Sequence, residues 1–242
     1  GRGAGGGGGG GGMAANANLK VLQQFLGKSD GKDKLCATVQ YALMFASAGR
    51  PGQLNSARVS IARARKVFRV GKPLMSLMPA LATWHPTDPA GLQLLARLKA
   101  LLMANYFLFD HLVWTHHAGL QNDATALKRT SKISLYSWMF GSAAGMLLEA
   151  AQLVRLSKAT TRRLLDAKDT DTRAAVKAEA EATARKRMLT FVSCTLQTTL
   201  ASGLLQVSDL SPRTCGAIGV LNSALGCYMQ WPAAPAKALK AA

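Results

Sequence analysis

The sequence predicts an all-α fold: a helical integral membrane protein with amphipathic helices and one or two transmembrane helices. Three observations carry this reading. From Leu19 onward apolar residues recur at helical spacing, and no stretch alternates for long enough to build a sheet or repeats internally. Apolar residues make up 49% of the 242 residues and charged residues only 17%, below the roughly 25% usual for soluble domains. Uncharged runs of sixteen, twenty-one and eighteen residues fill 133–148, 188–208 and 214–231. Aromatic content of 6% and a mean hydropathy of +0.09 are too low for a chain that is mostly membrane span, so a few spans on a basic body are expected.

Element by element, residues 1–12 contain ten glycines and read as a disordered extension, with Met13 as the natural start and the rest, 13–242, as a single domain. Leu19, Leu22, Phe25 and Leu26 form a short apolar stripe that ends at Gly27. A second helix is expected to start at Asp30, capping the N–H of Asp33, with both acids suited to the first turn; the pair of helices fills 19–48. Residues 53–72 read as one amphipathic helix. At about 100° per residue, Leu54, Ala57, Ile61, Ala64 and Phe68 share an arc roughly 80° wide. Arg58, Arg63, Arg65, Lys66, Arg69 and Lys72 fall outside it, with no acid among them. Pro73, Pro79, Pro86 and Pro89 break up the connection that follows.

A possible first membrane helix spans 92–115, although Arg97, Lys99 and Asp110 leave only its middle uncharged. A helical region over 133–208 follows, with a small-residue pair at Gly141 and Gly145. Its 155–187 segment carries ten basic and five acidic residues and reads as a solvated hairpin or long helix. The Thr, Ser and Gln content of 188–208 suits a packed amphipathic helix. The run 214–231, ending in Tyr228 and Trp231, is the best transmembrane candidate. Gly216, Gly219, Ser223 and Gly226 place a smooth stripe along it, suited to oligomerisation.

The net charge of +18 points to an anionic surface, phospholipid or nucleic acid. Cys36, Cys194, Cys215 and Cys227 form no CxxC and read as reduced, mostly buried thiols, which suits a cytosol-facing protein. No secretory signal follows Met13 and no SKL-type address ends the chain. Gly27-Lys28-Ser29 lacks the earlier glycine of a phosphate loop, since Leu22 stands there. His111, His116 and His117 miss the i, i+4 spacing of a metal pair. Without a nucleophile elbow, glycine fingerprint or paired carboxylates, neither an enzyme nor a cofactor is expected, and there is no catalytic or metal-binding set.

Several stretches together resemble the peroxisomal membrane protein 11 (peroxin-11) family. They are Phe25-Leu26-Gly27, Gly31-Lys32-Asp33-Lys34-Leu35, Gln40-Tyr41, Arg65-Lys66-Val67-Phe68-Arg69-Val70-Gly71-Lys72, Asn105-Tyr106-Phe107-Leu108-Phe109-Asp110-His111 with Trp114, and the glycine stripe. Their order and spacing cover 19–231. The resemblance implies a multi-pass peroxisomal membrane protein with both termini in the cytosol, promoting peroxisome elongation, fission and proliferation. It also implies homo-oligomers and work with the fission machinery, a dynamin-related GTPase and its adaptor. Joined to the residues, this gives a mechanism. Basic side chains draw 53–72 to anionic phospholipids at about 1 kcal/mol each, and burial of Leu54, Ile61 and Phe68, roughly 1.5–3 kcal/mol each if complete, expands the cytosolic leaflet. Two other functions fit parts of the chain: a pore or metabolite channel lined by the Thr/Ser/Gln face of 190–206, and a basic helical nucleic-acid-binding protein, which leaves the uncharged C-terminal run unexplained.

Overall fold

A computed structural model describes residues 9–83 and 88–232. Residues 1–8 of the glycine-rich stretch, Pro86 and the tail from 233 onward lie outside the described residues, whereas residues 9–12 belong to the first helix. The described residues form α1 (Gly9–Gly27), α2 (Ser29–Ser47), α3 (Gln53–Arg65), α4 (Lys72–Leu81), α5 (Ala90–His117), α6 (Ala124–Asp166), α7 (Thr170–Leu204) and α8 (Pro212–Gln230), with a 3-10 turn at Val67–Arg69. No strand occurs among them.

Local chemistry sets the boundaries. Asp123 caps α6 by accepting from the N–H groups of Thr125 and Ala126, and Asp169 and Ser211 do the same for Thr172 and Thr214 at the starts of α7 and α8. Helix α2 ends where Ala48 and then Gly49 turn into the left-handed region, φ 49° and 76°. The charged 155–187 stretch is a hairpin: α6 runs to Asp166 and α7 leaves at Thr170, tied by Arg163 to Glu179 at 2.8 Å.

Long helices pack antiparallel in the order α5, α6, α7, α8, α2. Asn105 donates to Ser137 at 2.7 Å between α5 and α6, Trp138 to Gln197 at 3.0 Å between α6 and α7, and Ser193 to Asn222 at 2.9 Å between α7 and α8. Ala37, Tyr41, Met44, Tyr106, Trp138, Leu200, Ala201 and Cys215 form the core these helices share. α3 lies against α2, and α4 against α5. The thiols of Cys194 and Cys215 are buried, those of Cys36 and Cys227 partly so, and all four are free.

Candidate functional site

The stretch expected as one helix over 53–72 is broken. α3 stops at Arg65, a 3-10 turn carries Val67–Arg69, Val70 leaves helical geometry at φ −55° and ψ 131°, and Gly71 sits at φ 84°. Two residues explain the break. Gly71 adopts the left-handed conformation at almost no cost, and Pro73 pre-forms the first turn of a new helix while donating no N–H to the old one. Helix α4 is the result.

The break sets which way each face points. Arg65 and Arg69 are only 6% and 9% exposed and turn inward onto α2 and α5. Arg65 Nε and Nη2 donate to the two Asp33 carboxylate oxygens at 3.0 and 3.4 Å, and its Nη1 donates to Gln40 Oε1 at 2.6 Å. Arg69 Nε donates to Asp33 Oδ1 at 3.2 Å, and its Nη1 to Tyr106 Oη at 2.8 Å and Asp110 Oδ2 at 2.9 Å. Lys66 pairs with the other Asp110 oxygen. Burial alone would raise the Asp33 carboxyl, but the Arg69 and Arg65 guanidiniums beside it hold it well below the usual carboxylate range. Three segments distant in sequence are thereby clamped together.

Arg65, Lys66 and Arg69, expected at lipid headgroups, therefore face carboxylates inside the protein. The reason is that Asp33 and Asp110, too far away in sequence to appear on a helical wheel, offer buried charges that need cations. Asp33 and Asp30 are correspondingly not helix caps: α2 begins at Ser29, Asp33 is 3% exposed in the cluster, and Asp30 pairs with Lys72. Arg63 stays exposed, and Arg58, half-buried, donates to Asn55 at 2.8 Å.

The apolar arc points outward. Leu54, 49% exposed, Ala57 and Ala64 lie on the surface, with Ile61 and Phe68 half-buried beside them. The strip continues through Val67 and Val70 onto Leu74, Met75, Met78 and Leu81 of α4, all large apolar side chains at least half exposed. Sequence reasoning missed α4. The 74, 78, 81 spacing was visible, but four prolines in the neighbourhood read as a loop.

α4 packs on α5, the one helix among the described residues long and apolar enough to cross a membrane. Its three charges are handled individually. Asp110 is paired, Arg97 donates to the Ala82 carbonyl at 2.6 Å, and the Lys99 stem runs past Gly145 of α6. Leu94, Leu98, Leu101 and Leu108 are left on its outer face.

The stripe on α8 is occupied within the chain. Cβ atoms added at Gly216 and Gly219 would lie 2.4 Å from the Phe45 backbone nitrogen and 2.2 Å from the Tyr41 ring, and one at Gly226 2.8 Å from Lys34 Cδ. Ser223 is buried and donates to the Gly219 carbonyl at 2.7 Å. Gly216, Gly219, Ser223 and Gly226, expected as an oligomerisation face, instead let α2 approach α8 of the same chain, because small residues admit whichever helix is nearest and α2 is tethered.

The family model for Peroxisomal biogenesis factor 11 (PEX11) matches residues 19–231. Peroxisomal membrane protein 11-1 of Oryza sativa subsp. japonica is 33% identical over 237 residues, covering 94% of this chain and 98% of the rice protein. Peroxisomal membrane protein 11D of Arabidopsis thaliana is 30% identical over 91% of this chain and 95% of its own length. The Peroxisomal membrane protein 11 homolog of Dictyostelium discoideum is 26% identical over 90% and 96%. No solved structure gives a significant match.

Proposed function

Because this chain belongs to the peroxisomal biogenesis factor 11 family, acting in peroxisome biogenesis at the peroxisomal membrane, we propose that it elongates that membrane before fission by wedging an apolar strip into the cytosolic leaflet. One observation supports this above others: the strip from Leu54 to Leu81 points away from the core while Arg65, Lys66 and Arg69 turn inward, and it lies beside the helix suited to crossing the bilayer. Each large side chain fully buried at the headgroup boundary contributes roughly 1.5–3 kcal/mol, so four or five hold the segment in place. Exposed Arg63 and half-buried Arg58 supply attraction to anionic phospholipids at about 1 kcal/mol per charge. An anchored wedge expands one leaflet and the membrane bends toward it.

In this reading both termini face the cytosol, copies associate through surfaces other than the α8 stripe, and a dynamin-related GTPase with its adaptor completes division. A lumen along 190–206 finds no support in the geometry. Thr190, Thr195, Thr198 and Thr199 donate to carbonyls of their own helix, while Gln197 and Ser193 bond to Trp138, Asn222 and each other.

The test uses the full chain reconstituted into vesicles containing anionic lipid. Leu74→Glu with Met78→Glu is expected to abolish tubulation while leaving the helical circular-dichroism spectrum and melting midpoint in detergent unchanged, since both residues are exposed. Ile61→Glu with Phe68→Glu, half-buried, should abolish tubulation with a modest loss of stability. Tubulation at the parental level in both double variants overturns the wedge.

A further inference from the structure

Behind the ion-pair cluster lies a cavity of ≈ 140 Å³, lined by residues of α2, α5, α6, α7 and α8 together with Arg65, Arg69 and Lys72. Water occupies about 30 Å³ per molecule in the liquid, so the space suits a small polyatomic group with ordered water. Its charge is not balanced. Lys34, Arg65, Arg69 and Lys72 line it against Asp33, and with Lys66, Asp30 and Asp110 of the adjoining ion pairs included the cluster still holds five basic groups to three carboxylates. Four of those cations have carboxylate partners, whereas Lys34 Nζ has neither an ion pair nor a hydrogen bond among the described residues.

Lys34 is placed there by packing. Its stem lies in the slot left by the missing side chain of Gly226, which directs it into the cavity. Burial, together with repulsion from Arg69, Arg65 and Lys72, pulls the amine below its ordinary pKa, with Asp33 offsetting only part of this. One turn from Gly226 on α8, Asn222 takes the Ser193 hydroxyl on its carbonyl oxygen at 2.9 Å, so its amide N–H groups remain as donors at the cavity wall. Donors without a protein partner and an excess of positive charge around a recess open on one side describe a receptor for a doubly charged oxyanion.

We propose that this cavity is a binding site for a phosphate monoester dianion, contacted by Lys34 and the Asn222 amide and held in the field of Arg65, Arg69 and Lys72. The same chemistry is offered by free phosphate compounds and by a lipid whose headgroup is a bare phosphate monoester. A groove of ≈ 630 Å³ adjoins the cavity and shares Lys72 and Phe107 with it. Phe68, Val70 and Met75 line that groove on the side of the outward apolar strip, a path along which acyl chains can leave.

The experiment uses the full chain in detergent and in vesicles at neutral pH. Inorganic phosphate should raise the melting midpoint above that in chloride of equal ionic strength, because a ligand that binds only the folded state stabilises it. Sedimentation should also favour vesicles containing phosphatidic acid over vesicles of equal surface charge made with phosphatidylglycerol, a phosphodiester. Both responses together assign a lipid headgroup, and the phosphate response alone assigns a soluble phosphate.

Lys34→Met is expected to weaken either response at least about tenfold in apparent affinity, Lys34→Arg to retain it, and Arg162→Gln, exposed on the charged hairpin of α6, to leave it unchanged. Lys34→Met removes a cation repelled by its neighbours, so without phosphate it should melt no lower than the parent. Absence of both responses in the parent protein overturns the site, and so does a Lys34→Met variant that keeps them. Neither outcome bears on the wedge, which is read from tubulation in the strip variants.

Discussion

Asp33 shows what one residue can organise. It accepts from Arg65 and Arg69, and through them the strip-bearing segment is fastened to α2 and α5. Replacing it by Asn leaves the buried Arg65 guanidinium without a carboxylate and Arg69 with Asp110 alone, which costs about 3–5 kcal/mol. Asp33→Asn is therefore expected to lower the denaturation midpoint of the detergent-solubilised protein markedly, measured by circular dichroism. The pH dependence follows from the depressed carboxyl. Its stabilisation is complete above the unfolded value near 3.9 and is lost as pH falls from there through the lower folded value. The parent should thus lose stability on the acid side of about pH 4, with a smaller loss in Asp33→Asn. Identical acid limbs in parent and variant contradict the assignment.

Between elements, the α2–α8 contact decides how glycines are to be interpreted. A methyl group at Gly219 meets the Tyr41 ring at 2.2 Å, and that ring belongs to the shared core, so Gly219→Ala forces overpacking of about 1–3 kcal/mol. Gly27→Ala, with nothing within 4 Å of the new methyl, should be neutral or slightly stabilising. The expected outcome is a lower melting midpoint for Gly219→Ala, with crosslinked self-association falling only as far as the folded fraction does. A variant that loses oligomers at unchanged stability restores the stripe as an interface between copies. The break between α3 and α4 belongs to the same scale: Gly71 and Pro73 convert one long basic helix into two short ones and let Arg69 reach α5.

For the molecule as a whole, cytosolic termini require an even number of membrane crossings, so a helix besides α5, the one long and apolar enough among the described residues, has to cross as well. Tags at each terminus of the full chain, probed by protease on isolated peroxisomes, are expected to be cleaved without detergent; protection of one terminus alone makes the number of crossings odd. Much of the fold was legible in the linear pattern. Helical periodicity follows from short-range spacing, and so does the family resemblance, whose motifs sit in fixed order; the charge mix of 155–187 fits a hairpin or a long helix alike, and the arc from Leu54 to Phe68 presumes one helix where the chain breaks after Arg65. Long-range partners were not legible. Nothing near Arg65 or Arg69 in the chain announces Asp33 and Asp110, nothing near Gly219 announces Tyr41, and Lys34 became a cavity residue only because Gly226 makes room for it. Helix content, basic charge and the apolar spacing along α3 can be read from the linear chain, since these depend on neighbours within a turn or two. Which cations are buried and which small residues are already in use emerges at the level of packing, because a buried charge or a notch acquires its role from the group placed against it.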